Sequence, residues 1–113
     1  MFTGFGPAVS KTALKKMSQQ VRSWRLHRCT TFSEQDLARW INPIVSGWMN
    51  YYGRYYRTEL YPLLRRINAY LMRWLRKKYK RLRTFKKAHA AWKRTTRQYP
   101  RFFAHWRWVH AFW

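Results

Sequence analysis

Acidic residues are scarce in this sequence, and their scarcity limits the chemistry it can perform. Only Glu34, Asp36 and Glu59 stand against 25 lysines and arginines, so the formal net charge is +22. General acid–base catalysis usually needs a placed carboxylate or histidine, and two-metal phosphoryl transfer needs several clustered carboxylates. Glu34 and Asp36 fall in the first turn of a predicted helix, where capping explains them. We therefore expect no catalytic residue, no metal site and no cofactor, and a protein that is not an enzyme.

Cysteine and long apolar runs are also scarce. Cys29 is the single cysteine, which excludes an internal disulfide and favours a reducing compartment. His27 lies beside it at a spacing unlike usual zinc sites. The longest unbroken apolar run, residues 69–72, is far shorter than the ~20 residues of a membrane span. We expect a bacterial cytoplasmic protein without integral membrane association.

Positive charge and aromatic side chains are abundant instead. Residues 1–59 carry 9 basic and 3 acidic residues, a net charge of +6, whereas residues 60–113 carry 16 basic residues and no acid. Such charge density opposes a compact state unless a polyanion binds. Because 20% of the residues are aromatic, the chain has too much apolar surface to remain unfolded. The composition predicts one folded domain with an anionic partner.

Apolar residues spaced by three and four predict an all-α fold, a three-helix bundle with a basic C-terminal helical extension and an aromatic tail. The first helix follows an N-cap at Ser10 and runs from residue 11 to about 28, and the second begins at Ser33. Pro43 is expected to kink or split the second helix. Gly53 and Pro62 bracket a connection to a third helix of about 22 residues.

The chain is predicted to divide into three parts. Residues 1–9 form an arm, residues 10–83 form the helical core, and residues 84–113 form the extension, with a last helix near residues 85–98. Because charge surrounds the end of the third helix, we expect that end to project from the bundle. The expected core consists of Leu14, Met17, Val21, Trp24, Leu37, Trp40, Ile41, Ile44, Trp48, Leu64, Ile67, Leu71 and Trp74.

Basic residues interleaved with aromatic ones are the most informative pattern. Phosphate contacts suit DNA and RNA alike, whereas arginine planes and exposed aromatic rings favour the unpaired bases of structured RNA. Aromatic residues at helical spacing are nevertheless more often core than stacking platforms. The residues expected to bind RNA are Lys11, Lys15, Lys16, Arg22, Arg25, Arg28, Arg54, Arg65, Arg66, Arg73, Arg76, Lys77, Lys80 and Arg81.

The segment Ile41-Asn42-Pro43-Ile44-Val45-Ser46-Gly47-Trp48-Met49-Asn50-Tyr51-Tyr52 resembles the signature of the group II intron maturase-specific domain. The entry segments Phe2-Thr3-Gly4-Phe5 and Val21-Arg22-Ser23-Trp24-Arg25 are also similar to that family. The resemblance extends from Phe2 to at least Trp106. The signature residues are Asn42, Pro43, Gly47, Trp48, Asn50, Tyr51 and Tyr52. We expect them to be structural, with Trp48 and Tyr51 or Tyr52 packing against neighbouring helices and Gly47 permitting close helix approach.

The resemblance implies the thumb, or domain X, of a group II intron reverse transcriptase. Its expected partner is group II intron RNA or an RNA/DNA duplex, and a separate reverse-transcriptase fragment is a further possibility. The domain would help the intron fold and splice, while the splicing chemistry belongs to the RNA. This sequence lacks the polymerase part and any Cys/His-rich endonuclease segment, so autonomous reverse transcription and a small-molecule substrate are not expected.

Two other functions fit the residues. A cationic amphipathic protein that lies on anionic membranes would also combine Lys/Arg faces with Trp and Phe. A generic basic module that packs RNA or binds DNA would show the same charge. Binding of structured RNA, duplex DNA and lipid at matched salt distinguishes these functions.

Overall fold

The computed structural model describes residues 11–112 and, within them, every side chain except those of Lys11 and Tyr55. This part of the chain contains three α-helices, α1 (Lys11–Trp24), α2 (Glu34–Lys78) and α3 (Phe85–Gln98), and no strand. Short 3₁₀ turns occupy Leu26–Arg28, Lys80–Leu82 and Ala104–Arg107. The all-α prediction is confirmed. The predicted arm, residues 1–9, and the predicted cap Ser10 lie outside the described residues.

Helix α1 ends at Trp24, four residues earlier than the periodicity predicts. Arg25 adopts a left-handed backbone conformation, with φ 49° and ψ 50°, and a 3₁₀ turn follows. Such a conformation is unusual for a residue with a side chain and ends the helix there. Leu26 is consequently turned into the core, where it is fully buried.

Helix α2 begins as predicted. Ser33 is the N-cap, its side chain accepts a hydrogen bond from the Asp36 backbone N–H, and the Asp36 carboxylate accepts one from the Ser33 N–H. This reciprocal capping box satisfies two backbone donors at the helix end. The capping hydrogen bonds also lower the pKa of Asp36.

The second and third predicted helices are one 45-residue helix with a sharp bend. Only Tyr56 leaves helical geometry, with φ −129° and ψ 36°. A straight helix of this length would measure about 68 Å, longer than the 54 Å maximum extent of the described residues. Tyr79, just past the helix end, donates a 2.6 Å hydrogen bond to Glu34 at its start. The two halves, residues 34–55 and 57–78, therefore lie side by side and antiparallel.

The predicted connection between Gly53 and Pro62 takes the form of a sharp bend at Tyr56 rather than a loop, and Pro43 does not split the helix. Proline in a helix removes one backbone hydrogen bond and crowds the carbonyl four residues earlier. Both prolines are exposed, so the carbonyls that they free can face water. The bend at Tyr56 lies just before Thr58, whose carbonyl Pro62 crowds.

The end of α2 does not project from the bundle as expected. The indole N–H of Trp74 donates to the Cys29 carbonyl at 2.7 Å, and the Lys78 ammonium donates to the Thr30 carbonyl at 2.8 Å. Tyr79 is held by Glu34, and its partial burial and this hydrogen bond raise its pKa to about 12. Trp74 and Lys78 thus anchor the segment that joins α1 to α2, whereas Arg73 and Lys77 at this end are exposed.

The core draws on more of the chain than the periodicity predicts. Most expected core residues are buried, whereas Leu14, Trp40, Ile44 and Trp48 are half-buried and pack against the core cluster. Trp24 stacks on Trp48, with ring centroids 5.9 Å apart, and joins α1 to α2. The buried residues that the prediction missed include Leu26, Val45, Met49, Leu60, Ala88, Trp92, Phe103, His105, Trp106 and Val109.

Two asparagines of α2 hold the segment that follows α3. The Asn42 amide donates to the Phe102 carbonyl at 3.0 Å, and its oxygen accepts from the Ala104 N–H at 2.9 Å. Asn68, in the other half of α2, binds the same segment farther along. Within the described residues, the aromatic tail, whose conformation the sequence left open, is therefore packed on both halves of α2. The domain boundary at residue 83 stays a prediction.

Candidate nucleic-acid interface

Two parts of the chain that are distant in sequence bring their positive charges together around His27. Arg25 and Arg28 flank His27 in the turn after α1, and Arg73 and Lys77 lie in the last turns of α2. All four cations are exposed. Each lies close enough to His27 to lower the pKa of its imidazole, after the larger effect of partial burial. We call these five residues, together with Tyr70, the His27 patch.

Helical spacing explains how α2 contributes to the His27 patch. Arg66, Tyr70, Arg73 and Lys77 recur at intervals of four, three and four, so they form one stripe along the second half of α2. Asn68, two residues after Arg66, is rotated about 200° from it. The stripe therefore lies on the side of α2 opposite the docked C-terminal segment, and that segment leaves it uncovered.

An aromatic ring lies at the centre of the His27 patch. The His27 and Tyr70 rings stack, with centroids 6.0 Å apart and planes 20° apart. The Arg73 guanidinium lies 5.7 Å from the Tyr70 ring centre. Tyr70 is half-buried, so it holds its neighbours His27 and Arg73 in place rather than offering an open face. The arrangement places several exposed hydrogen-bond donors where one anion could accept from them.

A single family match covers the His27 patch and nearly all of the described residues. The family model described as the group II intron, maturase-specific domain matches residues 14–111. This chain belongs to that family. Membership in the maturase-specific domain family associates it with group II intron splicing. No curated protein and no solved structure matches it.

The signature of this maturase-specific domain divides between two faces of α2. Asn42, Trp48 and Tyr52 face inward: Asn42 binds the C-terminal segment, Trp48 stacks on Trp24, and Tyr52 packs against the core. The outward set is exposed and consists of Pro43, Gly47, Asn50 and Tyr51. Packing therefore accounts for only part of the signature.

One expectation about the signature is wrong, and another is narrowed to a single residue. Of the two alternatives Tyr51 and Tyr52, it is Tyr52 that packs against the core, whereas 79% of the surface of Tyr51 is exposed. Gly47 permits no close helix approach, since a Cβ built there meets nothing within 4 Å. Gly53 instead allows a side chain of the C-terminal segment to approach closely, because its Cβ would collide with the ring of Trp108. The Arg57 guanidinium covers the Trp108 ring at 4.5 Å.

The other predicted RNA-binding residues lie elsewhere on the domain. On α1, Lys15, Lys16 and Arg22 are exposed, and so is Arg54 before the bend. Arg65 is half-buried, and Arg76 is engaged by donating to the Arg83 carbonyl at 3.0 Å. The exposed members outside both the His27 patch and the stripe on α2 are Lys15, Lys16, Arg22, Arg54, Lys80 and Arg81. Lys11 opens α1, and its side chain lies outside the description.

Helix α3 carries a second basic face that the sequence-based list missed. Its buried side consists of Ala88, Ala91, Trp92 and Thr96. Cations occupy the opposite side and are all exposed: Lys86, Lys87, Lys93, Arg94 and Arg97. The spacing of the buried residues would have identified this face. The three acids contribute nothing there, since Glu34 and Asp36 lie at the start of α2 and Glu59 lies beside the bend.

Two absences complete the description of residues 11–112. Within this range, no helix is long and apolar enough to cross a membrane. The same range contains no group of three or more His, Cys, Asp or Glu side chains arranged to hold a metal ion. Cys29 is a free thiol, and partial burial raises its pKa.

Proposed function

We propose that this domain binds group II intron RNA and assists its folding and splicing, without polymerase activity of its own. The observation that carries the proposal is the His27 patch, where Arg25, Arg28, Arg73 and Lys77 converge. Bringing four cations together costs electrostatic free energy in the free protein. The cost is recovered when phosphates bind and release their counterions. Family membership supports the intron as the source of those phosphates.

The burial of the apolar helix sides favours RNA over the surface of an anionic membrane. An amphipathic helix binds a bilayer with its apolar face. The apolar sides of α1 and α3 are already occupied, since Met17 and Val21 of α1 and Trp92 of α3 belong to the buried core. Apart from separate exposed rings such as Phe85, the sides of α1 and α3 that remain outside carry mostly charge, which phosphates in either material attract. Within residues 11–112, these two helices therefore offer little apolar surface to a membrane.

Within the proposed role, the chemistry of splicing remains with the RNA. The chain contributes three carboxylates, of which Asp36 caps α2 and Glu34 accepts a hydrogen bond from Tyr79. The proposed contribution is therefore to hold RNA segments in place by phosphate contacts. An RNA/DNA duplex would satisfy the same contacts, and a separate reverse-transcriptase fragment would be a further partner.

The experiment is a binding titration of the purified chain at several salt concentrations. The three ligands are a group II intron RNA, a scrambled RNA of equal length, and anionic vesicles. We expect a preference for intron RNA that persists at physiological salt. Equal binding of both RNAs that disappears as salt rises would reduce the function to generic phosphate attraction. Tighter binding to vesicles would contradict the proposal.

A further inference from the structure

The outward half of the signature forms an exposed strip on the first half of α2. Pro43, Gly47 and Tyr51 are spaced by four residues, so they lie one above another on the helix surface. Asn50 borders Tyr51, and Arg54 follows one turn later on the same side. All five residues are exposed. The strip contains no acidic residue, and it lies on a different half of α2 from the stripe of the His27 patch.

Tyr51 has an aromatic ring that is not buried in the fold. Its exposed fraction is 79%, compared with 54% for Tyr99, 52% for Phe85 and 38% for Phe32. The ring is nevertheless positioned, since it makes an edge contact with the half-buried Tyr52 at a centroid distance of 4.8 Å. An open ring held by a packed neighbour is suited to receive another flat, apolar group.

Gly47 has no side chain that would project from the helix beside the Tyr51 ring. Glycine inside a helix costs stability relative to alanine. Packing does not repay this cost, because a Cβ at Gly47 would meet nothing within 4 Å. Glycine also allows a ligand to approach the backbone closely. One helical turn from Tyr51, Gly47 therefore leaves room for a group lying flat against the strip.

The chemistry of the strip identifies the class of ligand. Aromatic rings bind bases by stacking, and a side-chain amide such as that of Asn50 can donate to and accept from a base edge. Arg54 adds positive charge about 4.5 Å along the helix axis from Tyr51. Paired bases hide their faces inside a duplex, whereas loops and bulges expose them.

We propose that Pro43, Gly47, Asn50 and Tyr51 form a site for an unpaired RNA base, stacked on Tyr51. The proposal rests on the proposed RNA-binding function and adds a contact that only an unpaired nucleotide can make. The His27 patch attracts phosphates of any RNA, whereas this strip distinguishes a loop from a duplex. The domain would thereby favour regions of the RNA that contain unpaired nucleotides.

The test compares an RNA hairpin with an adenine-rich loop and a fully paired RNA duplex with the same number of phosphates. Loss of a base–aromatic stack typically weakens binding severalfold to a hundredfold. We expect Tyr51→Ala to weaken hairpin binding about tenfold and leave duplex binding unchanged. Tyr51→Phe, which keeps the ring, should bind as the original chain does. Tyr99→Ala is the matched control, because it removes an exposed ring elsewhere.

Gly47→Gln provides an independent variant that does not depend on Tyr51. The glutamine side chain would cover the strip, so hairpin affinity should fall. Because glutamine favours a helix more than glycine does, thermal stability should rise. Unchanged hairpin binding in Tyr51→Ala or Gly47→Gln, or an equal loss on hairpin and duplex, would overturn the base site. Neither result would affect the phosphate-binding function, which is reported by the salt dependence of duplex binding.

Discussion

Asn68 and His105, 37 residues apart in the chain, share a hydrogen bond of 2.6 Å between Asn68 Oδ1 and His105 Nε2. The same oxygen accepts from the Trp106 indole N–H at 3.0 Å, and the Asn68 amide nitrogen donates to the carbonyls of Val109 and Ala111. All four hydrogen-bonding positions of this buried amide are thus used. Because the amide nitrogen serves both carbonyls, His105 must carry its proton on Nε2.

Asn68→Ala is expected to detach the C-terminal segment. The substitution leaves two N–H donors and two carbonyls without partners in a buried place, and each such loss costs about 1 to 3 kcal/mol. We expect the free energy of unfolding to fall by about 3 to 5 kcal/mol after partial rehydration. Urea unfolding followed by tryptophan fluorescence measures this. The control is Asn50→Ala, an exposed asparagine on the same helix, which should change stability by less than about 0.5 kcal/mol. Equal effects of the two substitutions would contradict the role of Asn68.

His105 should make the fold sensitive to acid. Complete burial lowers its pKa from 6.5 to about 3, so the folded state resists a proton that the unfolded state accepts. The contribution of His105 to the free energy of unfolding is then fully present above about pH 6.5. It declines as pH falls toward 3, with a slope of at most about 1.4 kcal/mol per pH unit. The lowered pKa of His27 acts in the same direction.

The measurement for His105 is the free energy of unfolding at several pH values between 7 and 4. His105→Gln retains an N–H donor for Asn68 and removes the titrating ring, so its stability should decline less steeply over this interval. An identical decline in the original chain and the variant would show that His105 is not the group responsible.

Gly47 and Gly53 give a matched pair of substitutions with opposite expected effects. A methyl group at Gly47 meets nothing within 4 Å, so Gly47→Ala should stabilise the protein by about 0.5 to 1 kcal/mol. At Gly53 the methyl group would collide with Trp108, which Arg57 covers. Gly53→Ala should therefore destabilise it by about 1 to 3 kcal/mol. Thermal unfolding of both variants measures these effects. A higher melting temperature for Gly53→Ala would contradict the packing of Trp108 against Gly53.

His27 should report RNA binding at the patch. Burial and the charges of Lys77, Arg28, Arg73 and Arg25 lower its pKa in the free protein. Bound phosphates would offset those charges and raise the pKa of His27, so RNA affinity should increase as pH falls through the range around 6. His27→Gln should reduce that dependence. NMR titration of the imidazole, free and with RNA, measures it directly, and an unchanged pKa in the complex would place the RNA elsewhere.

Local signals predicted several elements correctly. The sequence Ser33-Glu34-Gln35-Asp36 contains all the groups of its capping box, so the start of α2 could be read from four residues. Helix α3 occupies the predicted residues 85–98 because its apolar positions repeat regularly. These features depend on interactions within one or two helical turns, and such interactions can be predicted from the spacing of residues in the sequence.

Long-range features could not be predicted in the same way. The docking of the C-terminal segment depends on Asn42 and Asn68, whose partners are about 40 to 60 residues away. Two glycines in one helix look equivalent in the sequence, yet only Gly53 faces Trp108. The convergence of Arg28 with Lys77 likewise requires the antiparallel bend at Tyr56. In each case the decisive contact is made by a distant element.

The central claim is that the His27 patch binds the phosphates of RNA. The most direct measurement is the salt dependence of intron RNA binding by Arg73→Gln/Lys77→Gln, compared with a control of equal charge on α3, Lys86→Gln/Lys93→Gln. Each lost phosphate contact should reduce the slope of log affinity against log salt by about 0.7 to 0.9. We expect a reduction of about 1.4 to 1.8 for the patch variant and a smaller one for the control. Equal slopes for the patch variant and the original chain would contradict the claim.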